Sequence, residues 1–484
     1  MEVTEKHFLL LSNGWHIRVE GGHGILYSYD PEQLVWYNLT KELVTVLLLA
    51  DGRKTLGEIK NITEYLFKDL KGFDAKKLIE QLFAISSNQD NPSHILLVKT
   101  EPFDTSHPYN LEEVLKKLKV FTPEEYKKVA SGTPINPLNL TLIPENACFT
   151  DCIYCYAERK KIMKKEYMPL ERWIEILDEA QSLGIDLAVL TGGDPLRYKN
   201  IFELCEELLK RDFMFILPSK VFVTKKMAKR FREIGMAKCW NQVSIDSYNN
   251  ETTEKMVGVK NYATKTFESI KNMISEGLQV RVNCVAMPIN YQEIPELIRQ
   301  LDALGVKQMS IAAYGRTHYR HNDDHFLSLE QMEWLNDRVY LLSKTLKTIK
   351  VNCNVSSRDY SVPSDSNKEE SWEERSKCSA GRASMVINPT GEVTLCEQMP
   401  LQDEYIAGNL QHQGLEELWN STRMKDKVYP AKEKFSDSAC GTCPDFEECI
   451  NEYGYCFRDS LFTYGTIYSP PPNCPKAPVG VRMQ

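Results

Sequence analysis

The sequence has no cysteine before Cys148, and its 484 residues contain no apolar run long enough to cross a membrane. The longest near-continuous stretch, Leu43–Ala50, spans eight residues, where a membrane helix needs about twenty. The acidic N-terminus and the short apolar stretch Phe8–Leu11 do not make a signal peptide. Neither sign of charge is in large excess. Lys and Arg number 59 against 67 Asp and Glu, a net charge of -8 with both signs interspersed, which argues against a general nucleic-acid binder. The chain is therefore expected to be soluble and cytoplasmic, with neither membrane nor nucleic acid as a partner. An apolar fraction of 42% and a charged fraction of 26% exclude wholesale disorder. The fourteen cysteines are far fewer than the ~8–10% of a disulfide scaffold, and five of them lie between Cys440 and Cys474. In a chain without a secretory signal, thiols stay reduced, so such clusters read as metal ligands.

Residues 1–98 form the cysteine-free part. Trp15–Val19, Ile25–Tyr29 and Leu34–Leu39 are β-branched and aromatic, with Gly21-Gly22 as turn punctuation, and predict three strands. Helical spacing follows at Leu43, Val46 and Leu47, a capping box at Thr55 and Glu58 opens a second helix, and Leu78, Leu82 and Phe83 mark a third. The pattern is a small α+β module of winged-helix appearance. Residues 99–135 read as a linker with helical stretches. Over 136–316 strands and helices alternate: Leu138–Ile143, Leu187–Leu190, Met214–Leu217, Trp240–Ile245, Val280–Met287 and Gln308–Ala313 are the strand candidates. Six such strands imply an α/β fold of parallel βα units, whose sites lie at the carboxyl ends of the strands. Residues 317–376 are a polar connector. Residues 377–484 are poor in periodic structure and rich in Cys, Gly and Pro, so metal rather than a core is expected to hold them together.

The chemistry starts at Cys148-Phe-Thr-Asp-Cys152-Ile-Tyr-Cys155, in the loop after the first strand of the βα region. Three thiolates so spaced hold three irons of a [4Fe–4S] cube and leave the fourth open to a ligand. Zinc is the competing reading, but structural zinc takes four ligands and no fourth is close in sequence. Thr191-Gly192-Gly193-Asp194-Pro195 follows the second strand, Ser244 and Asp246 end the fourth, and Asn283 and Arg316 lie late in the series. A second cysteine group comprises Cys378, Cys396, Cys440, Cys443, Cys449, Cys456 and Cys474. Cys205, Cys239 and Cys284 sit in apolar surroundings and read as core. His318, His321 and His325 flank Asn322, Asp323 and Asp324, and read as a solvated loop rather than a metal site.

The first motif, with Tyr154 before its last cysteine and on a βα region, resembles that of the radical S-adenosylmethionine enzymes. The resemblance implies a partial (β/α)6, TIM-like barrel and a [4Fe–4S] cluster whose open iron chelates S-adenosyl-L-methionine. Reductive cleavage then gives a 5′-deoxyadenosyl radical that abstracts a substrate hydrogen. It also implies that Tyr154, Gly192, Gly193, Asp194, Pro195, Ser244, Asp246, Asn283 and Arg316 bind the cofactor, and that an external donor such as flavodoxin or ferredoxin supplies electrons. The second cysteine group, with Ile387-Asn-Pro389-Thr-Gly391-Glu-Val, resembles the SPASM extension, which binds two auxiliary [4Fe–4S] clusters. Carried over, Cys440, Cys443, Cys449 and Cys474 hold one cluster, and Cys378, Cys396 and Cys456 hold the other. Its fourth position is left to Cys353, an open iron or a substrate thiol. Six residues, where that family has three, separate Cys449 from Cys456. Glu397, directly after Cys396, is a candidate proton acceptor. Residues 1–98 resemble the RiPP recognition element, which binds the leader of a ribosomally made precursor peptide by strand addition, leaving the core of that peptide to the barrel. Together the resemblances imply a peptide maturase that installs a crosslink, foremost a cysteine thioether. Carbon–carbon or carbon–oxygen crosslinking, formylglycine formation and a non-catalytic Fe–S scaffold are the alternatives.

Overall fold

A computed structural model describes residues 3–30, 34–70, 73–86, 94–122, 124–125, 127, 129, 132–157, 167–355, 372, 375 and 377–478. The chain forms two compact units, Met1–Leu138 and Asn139–Gln484.

The first unit contains β1 (Phe8–Leu11), β2 (Trp15–Glu20), β3 (His23–Ser28), β4 (Trp36–Leu39), α1 (Lys41–Leu49), β5 (Asp51–Thr55), α2 (Leu56–Leu66), α3 (Ala75–Ser86), β6 (Leu96–Lys99) and α4 (Leu111–Lys117). Strands β2, β3 and β4 make an antiparallel meander, as the aromatic and β-branched runs predict. A second sheet, β5-β1-β6, is additional to the expectation. Its strands are hard to read because β5, Asp-Gly-Arg-Lys-Thr, has weak strand propensity, and the four-residue runs of β1 and β6 show no clean alternation. Helix α1 is buried from Leu43 to Leu49 and forms the heart of this unit, where Leu9, Leu26 and Leu47 meet. The Thr55–Glu58 capping box opens α2 as expected. Of residues 99–135, read as a linker, the stretch 99–119 packs onto the same unit. Phe103 N donates to Gly52 O at 2.8 Å, Lys119 N to Gly22 O at 2.7 Å, and Ile17 N to the Tyr109 hydroxyl at 2.9 Å.

The second unit is built on one ten-stranded sheet. Strands β7 (Asn139–Glu145), β8 (Leu187–Gly192), β9 (Met214–Ser219), β10 (Trp240–Ser244), β11 (Gln279–Ala286), β12 (Gln308–Ala313) and β13 (Lys350–Asn354) lie side by side in chain order, each parallel to the next. Between them run α5 (Leu170–Ser182), α6 (Ile201–Lys210), α7 (Lys225–Glu233), α8 (Asn250–Val257), α9 (Tyr262–Ser275), α10 (Ile294–Leu304) and α11 (Leu329–Ser343). This is the α/β partial barrel, with a seventh parallel strand beyond the six expected. That strand lies in the 317–376 connector, of which residues 356–371 are outside the described residues. Helix α5 shows why the pattern works: Trp173, Ile176, Leu177 and Ala180 share its buried face against the sheet.

On the other edge, β14 (Ser384–Ile387) pairs parallel with β7, and β15 (Glu392–Thr394) and β16 (Gly408–Asn409) continue the sheet antiparallel. The C-terminal cysteine-bearing segment therefore extends the barrel sheet through its own hairpin. Gly391, at φ +86°, makes the turn of that hairpin. Among the described residues no helix is long and apolar enough to cross a membrane.

Candidate active site

Cys148, Cys152 and Cys155 lie on the loop leaving the carboxyl end of β7. That loop is fixed from several sides. Asp151 N donates to Val257 O at 2.8 Å and Ile153 N to Met256 O at 2.9 Å, which docks it on the end of α8. The Thr150 hydroxyl lies 3.5 Å from the Cys148 sulfur and 3.3 Å from that of Cys152. The Arg320 guanidinium donates to the Cys152 carbonyl at 3.2 Å and to Asp151 at 2.6 Å.

Gly192 and Gly193, at the carboxyl end of β8, lie against this loop. A Cβ on Gly192 would stand 2.4 Å from Glu145 O, and one on Gly193 would stand 2.3 Å from Asn146 O. Gly193 N donates to Glu145 O and Asp194 N to Ala147 O, both at 3.0 Å. The glycines thus admit the backbone that leads into the cysteine loop. Asp194 is buried, and its carboxylate accepts from Leu196 N at 3.0 Å, Ser219 Oγ at 2.9 Å and Lys220 N at 2.8 Å. It ties β8 to β9 and starts the short turn at Pro195. Burial pushes its pKa up, although those donors pull the other way.

Ser244 and Asn283 are register partners on the neighbouring strands β10 and β11, so these two expected cofactor contacts lie side by side. Asp246, 1% exposed, accepts from Val285 N at 2.9 Å and from the Tyr154 hydroxyl, and Lys220 Nζ lies 3.5 Å from its Oδ2. Lys220 also donates to the Tyr154 hydroxyl at 2.9 Å. Asp246, one of the expected cofactor contacts, holds Tyr154 and Lys220 beside the cysteine loop. Burial raises the Tyr154 phenol well above its usual pKa, with Asp246 and Cys152 adding to it. For Lys220, burial lowers the pKa, but Asp246 and then Cys152 outweigh it and leave the ammonium above the ordinary lysine value. Lys220 was not legible as a site residue; its only signal is that it follows an apolar strand, as Gly193 and Asp246 do.

Arg316, after β12, pairs with Asp323 at 3.3 Å. His321 lies 2.6 Å from Asp323 and 3.2 Å from the Tyr314 hydroxyl, while His318 stacks on Phe462. Among the described residues no three His, Cys, Asp or Glu side chains converge on a single ion. Cys205, Cys239 and Cys284 are buried in the core, as expected. Cys353 lies on β13 with its sulfur 3.3 Å from Asn336 Oδ1.

The C-terminal cysteines fall into two places. Cys440, Cys443, Cys449 and Cys474 line one cavity of about 500 Å3. Burial, then Cys474 and Cys449, push the Cys440 thiol up to about 12, so thiolates gathered here call for positive charge among them. Cys378, Cys396 and Cys456 share a second neighbourhood around the half-buried Arg458. Each of these thiols is raised by burial, and Arg458 opposes the rise in all three. Arg458 in turn donates to Asp459 at 2.7 Å.

Glu397 links this second neighbourhood to the cysteine loop. Its carboxylate lines the same small cavity as Tyr156, the residue after Cys155, and Thr191, the residue before Gly192. Burial raises its pKa, and Tyr156, Thr191 and Arg458 pull it back down. A cavity of about 30 Å3 opens beside it, lined also by Asn146 and Asn388. The Asn146 amide nitrogen is buried there without a partner. The donor set is thus all thiol, placed at the carboxyl ends of parallel strands, with an unmatched amide donor at the same mouth. It fits an iron–sulfur cluster with an organic ligand beside it.

Residues 142–301 match the family described as Radical SAM superfamily, and residues 378–444 match the iron-sulfur cluster-binding domain SPASM. The chain is an enzyme of the radical SAM class with a SPASM segment. Arg316, Cys449, Cys456 and Cys474 lie outside the matched spans. The chain is 23% identical over 356 residues to a PqqA peptide cyclase of Granulibacter bethesdensis, covering 72% of this chain and 90% of that one. It is 21% identical over 316 residues to an AdoMet-dependent heme synthase of Methanosarcina barkeri, covering 62% and 87%. Streptococcus suis SuiB, solved with S-adenosylmethionine, superposes with a TM-score of 0.62 at 16% identity over 96% of this chain and 98% of that one. A likeness this distant shows the fold, which extends through the N-terminal unit. A peptide and a heme among the relatives leave the substrate to be argued from the site.

Proposed function

We propose that the protein is a radical S-adenosylmethionine maturase that crosslinks a ribosomally made precursor peptide, joining a cysteine sulfur to a carbon of another residue. The observation that carries this reading is Glu397, a carboxylate that shares one small cavity with Tyr156 of the cysteine loop and Thr191 of the glycine motif, next to Cys396. It gives the site a proton acceptor between the two sets of thiols. The fold likeness to SuiB, which has been solved with its precursor peptide SuiA, and the peptide named for the cyclase relative support a peptide as substrate.

Cys148, Cys152 and Cys155 would hold the cluster that binds S-adenosylmethionine. Cys440, Cys443, Cys449 and Cys474 would hold one auxiliary cluster, and Cys378, Cys396 and Cys456 the other. When bound, these groups supply hydrogen-atom abstraction from the peptide and a sink for the electron released as the new bond closes. The chain's own part is to place and neutralise charge. Ser244 and Asn283 offer neighbouring polar groups on adjacent strand ends. Asp246 keeps Tyr154 and Lys220 beside the cysteine loop, and Glu397 receives the thiol proton. The first unit binds the leader along an outer strand, and an external flavodoxin- or ferredoxin-like donor supplies the starting electron.

The test is to incubate the loaded enzyme, with reductant, with a short cysteine-containing peptide encoded beside its gene. The expected product is lighter by two hydrogen atoms and has one thiol fewer open to alkylation. The same mass loss with every cysteine still alkylated would replace the thioether by a carbon–carbon or carbon–oxygen link. An unchanged mass with solvent deuterium at an α carbon would replace crosslinking by epimerisation.

A further inference from the structure

The cavity ringed by Cys440, Cys443, Cys449 and Cys474 is also lined by two cationic side chains, Arg375 and Lys476. The Lys476 ammonium donates to the Cys443 sulfur at 3.0 Å and is tethered by the Asp445 carboxylate at 2.8 Å. The Arg375 guanidinium lies between two aromatic rings, 3.8 Å from the Trp372 centroid and 4.2 Å from that of Tyr453. Its Nη1 donates to the Trp372 carbonyl at 2.5 Å. Its Nε is buried with no hydrogen-bond partner. A buried donor left unmatched is costly, so a donor on the wall of a thiol-lined cavity points to an acceptor inside it.

We infer that Arg375 and Lys476 raise the reduction potential of the iron–sulfur cluster held by these four cysteines. The inference rests on the proposed reading of the four as one ligand set. Reduction adds a negative charge to a body already made anionic by four thiolates. Hydrogen bonds to the sulfurs and nearby fixed cations stabilise that added charge. The two cations differ in solvent access. Arg375 is covered by two ring faces, whereas the Lys476 side chain is 43% exposed, so salt screens the second much more than the first. Arg375 therefore sets the larger share, and the share of Lys476 falls with ionic strength.

The experiment uses the full chain with Cys148, Cys152 and Cys155 all changed to Ala, leaving only the auxiliary clusters. Anaerobic redox titration followed by electron paramagnetic resonance is run on this parent and on Arg375→Met, Lys476→Met and Lys476→Arg added to it. Iron content is expected to stay at the parent level. Arg375→Met should lower one midpoint by about a tenfold change in the reduction equilibrium, which for one electron is about 59 mV. Lys476→Met should lower the same midpoint by less, with an effect that shrinks at high salt, and Lys476→Arg should stay near the parent. Unchanged midpoints in both Met variants at full iron content would overturn the inference. So would loss of the cluster from Lys476→Met and Lys476→Arg alike, since the residue would then be structural. Failure of the ligand reading is seen separately: a Cys440→Ala, Cys474→Ala double variant that keeps all its iron would mean that the cavity holds no cluster.

Discussion

Gly193 packs so tightly under Asn146 that a Cβ on it would lie 2.3 Å from the Asn146 carbonyl oxygen and 2.4 Å from that of Ala147. Both oxygens are backbone atoms of the segment leading directly into Cys148, so no flexible side chain can yield. Gly193→Ala is therefore expected to displace the cysteine loop and reduce iron loading at the first site. An effect confined to S-adenosylmethionine binding, as the motif alone implies, is not expected. Iron per chain and the visible absorption of the anaerobically loaded variant check this. Full iron with weakened cofactor binding would mean that the loop tolerates the shift.

Lys220 and Asp246 form a buried pair, 3.5 Å apart, behind the same loop. Removing one partner leaves the other charged and unmatched in a poorly solvated place, a loss of about 3–5 kcal/mol. Asp246→Ala should thus lower chemical-denaturation stability by about that amount. Lys220→Met combined with Asp246→Asn should recover most of it, because neither charge remains. Additive losses in the double variant would show that the two side chains act independently.

The βα alternation and the cysteine loop were legible because each has a local signature: apolar runs, fixed spacing, glycine punctuation. What was not legible is set by pairing across the chain. Strand β13 hides in a polar stretch and is defined by its ladder with β12. Strand β5 carries Asp and Gly and exists because β1 pairs with it. Asp194 and Asp246 were recognisable as strand-end carboxylates, but their partners Ser219, Lys220 and Val285 are contributed by other strands. Glu397 could be picked out beside Cys396, whereas its place in one cavity with Tyr156 and Thr191 depends on how the C-terminal hairpin joins the sheet.

Changing Cys148, Cys152 and Cys155 together to Ala should lower the iron content from about twelve to about eight per chain, the difference being one cube. The same variant should lose all reductive formation of 5′-deoxyadenosine while keeping the absorption of the remaining clusters. Zinc in place of iron, or cofactor cleavage at the parent rate, would remove the assignment of this loop.

Strand β4 is one of the two edge strands of its meander, the other being β2, and is followed directly by α1. If the leader adds as a further strand there, main-chain pairing is its main source of affinity. Proline scanned over Trp36–Leu39 should abolish leader binding at those positions whose N–H faces outward. Fluorescence anisotropy with a labelled leader measures this on the full chain. Binding that survives at every position, or equal processing of peptide without its leader, would count against β4 as the docking edge.

Glu397→Gln separates the start of the reaction from its end. The amide keeps nearly the same shape beside Tyr156 and Thr191, so the mouth of the site should keep its geometry. What is lost is the ability to take up a proton as the sulfur joins the carbon. The variant should therefore load full iron and cleave S-adenosylmethionine at close to the parent rate, while crosslinked product falls by about 10²-fold or more. The abstracted hydrogen should then leave in 5′-deoxyadenosine without a crosslink, raising the ratio of cofactor cleaved to product formed. Glu397→Asp, with a shorter reach but the same chemistry, should recover part of the product. A Gln variant that crosslinks at the parent rate would move the proton acceptor elsewhere. One that loses iron would make Glu397 a support of the neighbouring Cys396 instead.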